Sequence, residues 1–318
     1  MKGVFLDLDT VSFKDDVDLT PLRKVLSVLR LYGATRPDQL LEHVADAEVV
    51  ILNKMRLAPE DIKRFSGVKL VALAATGTNN VDLATAWSKG IGVSNVPGYA
   101  AMSVAQHVFA LLLALTQHLE DYERLLRDGA WKRAPQFTLL DYPIRELEGK
   151  RLGIVGYGDI GKAVGRIAEA FGMHVLLASR DPNDKRPGRL SLPRLLPMVD
   201  VLSLHLPLLP ETRSLIGARE LALMKSDAVL INCARGALVD ERALAEALRA
   251  GKLGGAGIDV LSQEPPIDDN PLLKPDVPNL IVTPHIAWAS KEARQRVVHE
   301  LAANLAAFQR GELRNRVA

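Results

Sequence analysis

The chain has 318 residues, 48% of them hydrophobic, enough for a large buried core and for two domains rather than one. Its 40 basic and 38 acidic residues nearly balance, with no long basic block, which argues against nucleic acid or an anionic membrane surface as a partner. Cys233 is the only cysteine, which excludes an intramolecular disulfide and a multi-cysteine metal site and fits a reducing, cytoplasmic setting.

The N-terminus runs through Val4 to Leu6 and meets Asp7 and Asp9 at once, so it reads as a first strand rather than a secretory signal. A helix-like stretch from Leu22 to Leu31 follows, then apolar runs Val49 to Leu52 and Leu70 to Ala74, and a further strand in Ile91 to Val96. Such alternation predicts a parallel sheet wrapped by helices. Pro97-Gly98 breaks the chain ahead of a predicted helix of about 25 residues. Its apolar run Val108 to Leu115 is about half of what spans a membrane, so burial inside a protein explains it better.

Arg151 to Val155 then leads as a strand into Gly156-Tyr157-Gly158-Asp159-Ile160-Gly161, and Ala163, Val164, Ile167, Ala168 and Phe171 recur at helical spacing until Gly172. With the strand Val175 to Ala178 this makes a βαβ unit around a G-x-G-x-x-G turn, a dinucleotide fingerprint. The first glycine permits the turn, the second lets backbone approach a pyrophosphate, and the third lets helix and strand pack closely. Further strands are expected at Val199 to Leu206, Ala228 to Asn232, Ala256 to Leu261 and Leu280 to Val282, with helices at Ala218 to Met224 and Glu241 to Ala250. The helical period from Ser290 to Arg310 has no strand of its own and is expected to return to the first domain.

An acid at the end of the second strand of such a fold ordinarily takes the adenosine ribose of NAD. Here that end reads Ala178-Ser179-Arg180. Ser179 brings no charge against a 2′-phosphate and Arg180 brings a cationic fork toward one, so NADP(H) is the expected cofactor; Asp181 reaching the ribose is the alternative that would favour NAD(H).

Three later segments each carry one reactive residue: Asn232-Cys233-Ala234-Arg235-Gly236, Gln263-Glu264-Pro265-Pro266 and Thr283-Pro284-His285-Ile286-Ala287-Trp288. Reduction of a 2-keto acid needs a cation for the carboxylate and carbonyl, a proton donor at the carbonyl oxygen, and a hydride. Arg235 suits the first, His285 the second, and Glu264 is placed to fix the imidazole tautomer and favour its charged form. Nothing in the pattern calls for a metal. His205 ends a strand and is a candidate for lining the nucleotide site, whereas His107 and His118 read as packing or interface residues.

Those segments, with Ala75 to Asp82, Asn95 to Tyr99 and Ser103 to Val108, strongly resemble the D-isomer-specific 2-hydroxyacid dehydrogenases, most closely their glycerate dehydrogenase or hydroxypyruvate reductase branch. The resemblance implies an α/β protein of two doubly wound parallel-sheet domains. A Rossmann NAD(P)-binding domain, residues 98–284, is inserted in a discontinuous flavodoxin-like substrate domain made of 1–97 and 285–318. It implies that Thr76 and Gly77 bind the substrate carboxylate through backbone, that Arg235 and His285 contact substrate, and that Leu206, Pro207, Cys233 and Ala234 line the cofactor. Asp259 would hold the nicotinamide carboxamide. Trp288 stands where the family usually has a small residue, and is expected beside the substrate, disfavouring bulky aliphatic side chains. A small 2-keto or 2-hydroxy acid is the implied partner, with a homodimer built on the long helix and an arm through Trp131, Phe137 and Tyr142.

Overall fold

The computed structural model describes every residue except Arg180, Pro182, Asn183 and Lys185. The chain divides into two compact units, residues 1–100 with 288–318, and residues 101–287.

In the first unit, β1 (Lys2–Phe5), β2 (Val28–Leu31), β3 (Val49–Leu52), β4 (Leu70–Leu73) and β5 (Gly92–Ser94) form one parallel sheet in the order β2-β1-β3-β4-β5. This is the flavodoxin-like order. β3 and β4 are buried along their whole length, as a sheet covered on both faces requires. The helix Lys291–Gln309 packs on the helix Thr20–Val25 and on β4, so the C-terminal segment completes this unit.

The second unit holds β6 (Arg151–Val155), β7 (His174–Ser179), β8 (Arg189–Ser191), β9 (Val201–Leu204), β10 (Val229–Asn232), β11 (Gly255–Ile258) and β12 (Leu280–Val282). All are parallel, in the order β12-β11-β10-β9-β6-β7-β8. Read from β6, this is the Rossmann order with one further strand. Consecutive strands run outward from β6 on one side and from β9 on the other, so the loops after β6 and β9 lie at the reversal point.

Two local expectations are corrected, and one strand was not anticipated. The segment Leu22 to Leu31 is not one helix: Thr20–Val25 is helical, and Val28–Leu31 is an edge strand whose half-buried residues carry a weak period. The predicted helix of about 25 residues breaks at His118, which is left-handed (φ 50°), giving helices Ala101–Gln117 and Leu119–Arg127 bent by 54°. The strand Arg189–Ser191, three residues at the sheet edge, is too short to read from the sequence. Among the described residues no single helix is long and apolar enough to cross a membrane, and Ala101–Gln117 buries Val104, Val108, Leu111 and Leu112.

Candidate active site

Every candidate in the second unit sits at the carboxyl end of a strand. The glycine turn follows β6, Ser179 ends β7, His205 to Pro207 follow β9, Cys233 to Arg235 follow β10, Asp259 and Glu264 follow β11, and His285 follows β12. Because the strands are parallel, neighbouring loops emerge on one side, where open α/β sheets bind their ligands.

The glycine turn is built as its spacing predicts. Gly156 has φ 97°, and a Cβ there would collide with the backbone of His205; at Gly161 it would collide with the Gly156 carbonyl. At Gly158 a Cβ would meet nothing, so the backbone there faces open space beside the N-terminus of the helix Asp159–Ala170. That combination fits a dinucleotide pyrophosphate, which takes the helix dipole and unpaired N–H groups at such an end. Asp159 and Ile160 form the first turn of this helix.

At the end of β7, Ser179 Oγ donates to Asp184 Oδ2 (2.8 Å), and Arg186 forks onto the same carboxylate at 2.9 and 2.6 Å. The Arg186 guanidinium, then the Ser179 hydroxyl, hold the Asp184 carboxyl below the usual carboxylate range. The sequence places no acid at the strand end itself; the structure supplies one from five residues further on. Arg180, the residue that carries the NADP(H) expectation, lies outside the described residues.

The loop after β10 is a turn closed by buried Asn232, whose Oδ1 accepts from Ala234 N (3.1 Å) and whose Nδ2 donates to Arg235 O (2.9 Å). Arg235 Nη1 donates to Ala234 O at 2.6 Å. Gly236 is required next, because a Cβ would run into the Leu261 backbone. Burial, with the Asp259 charge behind it, pushes the Cys233 thiol well up, so it remains protonated and reads as a small apolar wall residue.

His285 and Glu264 meet as the spacing alone could not show: Nδ1 lies 2.7 Å from Glu264 Oε2, while Oε1 accepts from Leu261 N at 2.9 Å. An ionised carboxylate only accepts, so Nδ1 carries the hydrogen and proton exchange falls to Nε2. The pair is partly exposed, at 31% and 36% of the two side chains. Its loop is further held by Glu241, which accepts from Ser262 N and Oγ at 2.6 and 2.8 Å.

Asp259 is 1% exposed. Its Oδ1 accepts from Thr283 Oγ1 (2.6 Å) and Ile286 N (2.9 Å), and Oδ2 from Ala287 N (2.9 Å). These partners belong to the His285 loop. Thr283 spends its one proton on Asp259, so His107 Nε2, 2.9 Å from Thr283 Oγ1, is the donor there. Ser103 Oγ donates to Ala287 O at 2.7 Å. His107 and Ser103 therefore position the loop from the helix Ala101–Gln117, a role the sequence reading missed; both lie in the Ser103 to Val108 segment that carried the resemblance. His205 faces Ser203 Oγ through Nε2 (2.8 Å), its Nδ1 is buried without a partner, and burial lowers its pKa from 6.5 to about 4.

In the first unit, Thr76 and Gly77 follow β4, with Thr76 Oγ1 donating to Val96 O (2.7 Å) and Asn95 Nδ2 to Thr76 O (2.7 Å). Trp288 packs edge-on against Tyr99, ring centroids 6.3 Å apart.

A family model described as the D-isomer specific 2-hydroxyacid dehydrogenase NAD-binding domain matches residues 109–287. The glycerate dehydrogenase of Methylorubrum extorquens is 46% identical over 279 residues, 88% of each chain. The hydroxypyruvate reductase of Blautia hydrogenotrophica is 40% identical, over 87% of each chain. The crystal structure of the TT0316 protein of Thermus thermophilus aligns over 100% of both chains with a TM-score of 0.84 at 36% identity. With the parallel sheets, the glycine turn and the histidine–carboxylate pair already in place, these likenesses show that the chain belongs to the D-isomer-specific 2-hydroxyacid dehydrogenase family.

Proposed function

We propose that the protein reduces hydroxypyruvate, and glyoxylate beside it, to D-glycerate and glycolate, reversibly and with NADPH preferred. The His285–Glu264 contact at 2.7 Å carries this reading, since it fixes which ring nitrogen handles the proton. When bound, the reduced nicotinamide supplies a hydride to the carbonyl carbon. His285 Nε2 gives the proton to the carbonyl oxygen, which becomes the hydroxyl, and takes it back in oxidation. Glu264 holds the ring through Nδ1 and stabilises the imidazolium. Arg235 binds the carboxylate and withdraws electron density from the adjoining carbonyl. Thr76 and Gly77 bind the carboxylate through backbone N–H groups, and Trp288 bounds the side of the substrate.

Gly156, Gly158, Asp159, Ile160 and Gly161 would hold the pyrophosphate, with His205, Leu206, Pro207, Cys233 and Ala234 along the nucleotide. We assign Asp259 both to the His285 loop and to a nicotinamide carboxamide N–H, since a carboxylate has about four acceptor sites. The preference for NADPH rests on Ser179 and Arg180 in the sequence. A second reading, NADH, is favoured by the Asp184 carboxylate at Ser179, which would repel a 2′-phosphate. Initial rates with hydroxypyruvate, glyoxylate, pyruvate and 3-phosphohydroxypyruvate, each with NADPH and NADH, test both. Fastest turnover of an acid other than the first two overturns the substrate, and a higher kcat/KM with NADH overturns the cofactor.

The arm after His118 leaves Phe137 90% and Leu140 82% exposed, apolar surface suited to a second copy of the chain. Sedimentation at micromolar concentration is expected to give a dimer, and monomer alone would remove that assignment.

A further inference from the structure

Lys54 Nζ stands over the indole of Trp288, 4.8 Å from the ring centroid. Within the first unit this placement is built rather than incidental. The loop after β3 that carries Lys54 is fixed through its backbone: Asp7, 5% exposed, accepts from Asn53 N, Lys54 N and Met55 N at 2.8, 2.7 and 2.8 Å. Asn80 Nδ2, four residues beyond Thr76, donates to Asn53 O and Met55 O at 3.1 and 2.8 Å, tying this loop to the one after β4. On the other side, Arg294 Nε grips Ala289 O at 2.9 Å while its Nη groups fork onto Asp16 at 2.7 and 2.6 Å, which steadies the segment bearing Trp288. A flexible lysine is thus aimed by a rigid loop onto a fixed aromatic face, whose π-cloud attracts and orients the ammonium.

We propose that Lys54 is a specificity-determining residue that selects 2-keto acids bearing an oxygen on the carbon beside the carbonyl. The proposal rests on the reading above, in which the Thr76–Gly77 backbone and Trp288 contact the substrate. β3 and β4 are adjacent in the sheet and Asn80 ties the loops that follow them, so Lys54 and the Thr76–Gly77 turn emerge from neighbouring strand ends without coinciding. A cation offset from the carboxylate site in this way addresses the far end of a three-carbon acid. The ammonium donates to a C3 oxygen; a methyl there finds a charge it cannot satisfy, and its burial against that charge is penalised.

Lys54→Met tests this on the full-length enzyme. The side chain is exposed and the loop is held through backbone, so the variant is expected to fold and to bind nucleotide as the wild type does. The kcat/KM ratio of hydroxypyruvate to pyruvate should fall by roughly 10- to 100-fold, mainly through KM, the loss typical of a charged hydrogen bond. Glyoxylate, which has the carboxylate but no C3, should change by less than about threefold on the same argument. An unchanged ratio overturns the assignment. So does a parallel loss on glyoxylate, which would make Lys54 a carboxylate ligand. Failure of the underlying reading shows earlier and separately, as wild-type protein that reduces neither hydroxypyruvate nor glyoxylate, and it takes the assignment with it.

Discussion

Two loops at the carboxyl ends of the two sheets are built on the same plan, a buried aspartate gathering donors from a neighbouring loop. Asp7 gathers the 53–55 loop entirely through backbone N–H groups. Asp259 gathers the 283–287 loop through two backbone N–H groups and the hydroxyl of Thr283, which is itself bonded to His107. The first arrangement leaves the exposed side chain of Lys54 open to substitution, because the carboxylate reads only main chain, while buried Asn53 is held separately through its Nδ2 to Thr10. The second specifies Thr283 and His107 by type, and with them the stance of His285. A loop of the first kind suits substrate choice, and one of the second kind suits chemistry that must not vary.

The sharpest way to break this contrast is His285→Gln, which keeps a polar side chain but cannot exchange the proton. Turnover is expected to fall by roughly 10²–10⁴-fold, the usual worth of a general acid, with nucleotide affinity measured by fluorescence titration little changed. Surviving turnover would move the proton to another group. Asp7→Ala should come next in size. It strands three buried or part-buried donors and should lower the urea stability of the first unit by about 2–4 kcal/mol; a loss below about 1 kcal/mol would mean that water replaces the carboxylate there.

His205 gives a pH test within the second unit. Its folded pKa is lowered by burial from 6.5 to about 4. Between those values the unfolded chain binds more protons than the folded one, so stability is retained above pH 6.5 and is lost as pH falls toward 4. His205→Asn should flatten that part of a stability–pH curve, and an identical curve would show that other groups set it. The smallest effect is expected for Thr283→Val, about 1–2 kcal/mol from two lost hydrogen bonds, the one given to Asp259 and the one accepted from His107. A matching drop in kcat without a change in nucleotide affinity would show that the loop transmits its geometry to His285.

What was legible in the sequence follows the same division. Arg235, Glu264 and His285 stand in segments whose side chains are constrained by type, so the motif survives as letters. The glycine turn was equally readable, since Gly156 and Gly161 are forced by contacts no other residue tolerates. The wholly buried strands such as Val49–Leu52 announce themselves by composition. The edge strands Val28–Leu31 and Arg189–Ser191 do not, because partial exposure blurs their period and pairing on one side defines them. Asp184 at Ser179 was hidden for another reason: theirs is a contact in space, five residues apart, with no spacing rule. Lys54 carried no signal, because Asp7 fixes its position through its backbone N–H and not through its side chain.

The split composition of the first unit bears on how the protein is made. Residues 101–287 form a continuous span that can fold once they have all left the ribosome, whereas the first hundred residues await the helix Lys291–Gln309, made after that span, to cover Thr20–Val25 and β4. Vectorial synthesis therefore lets the inserted unit mature first and leaves the earliest-made sheet with an uncovered apolar face, the kind of surface that recruits chaperones on a nascent chain.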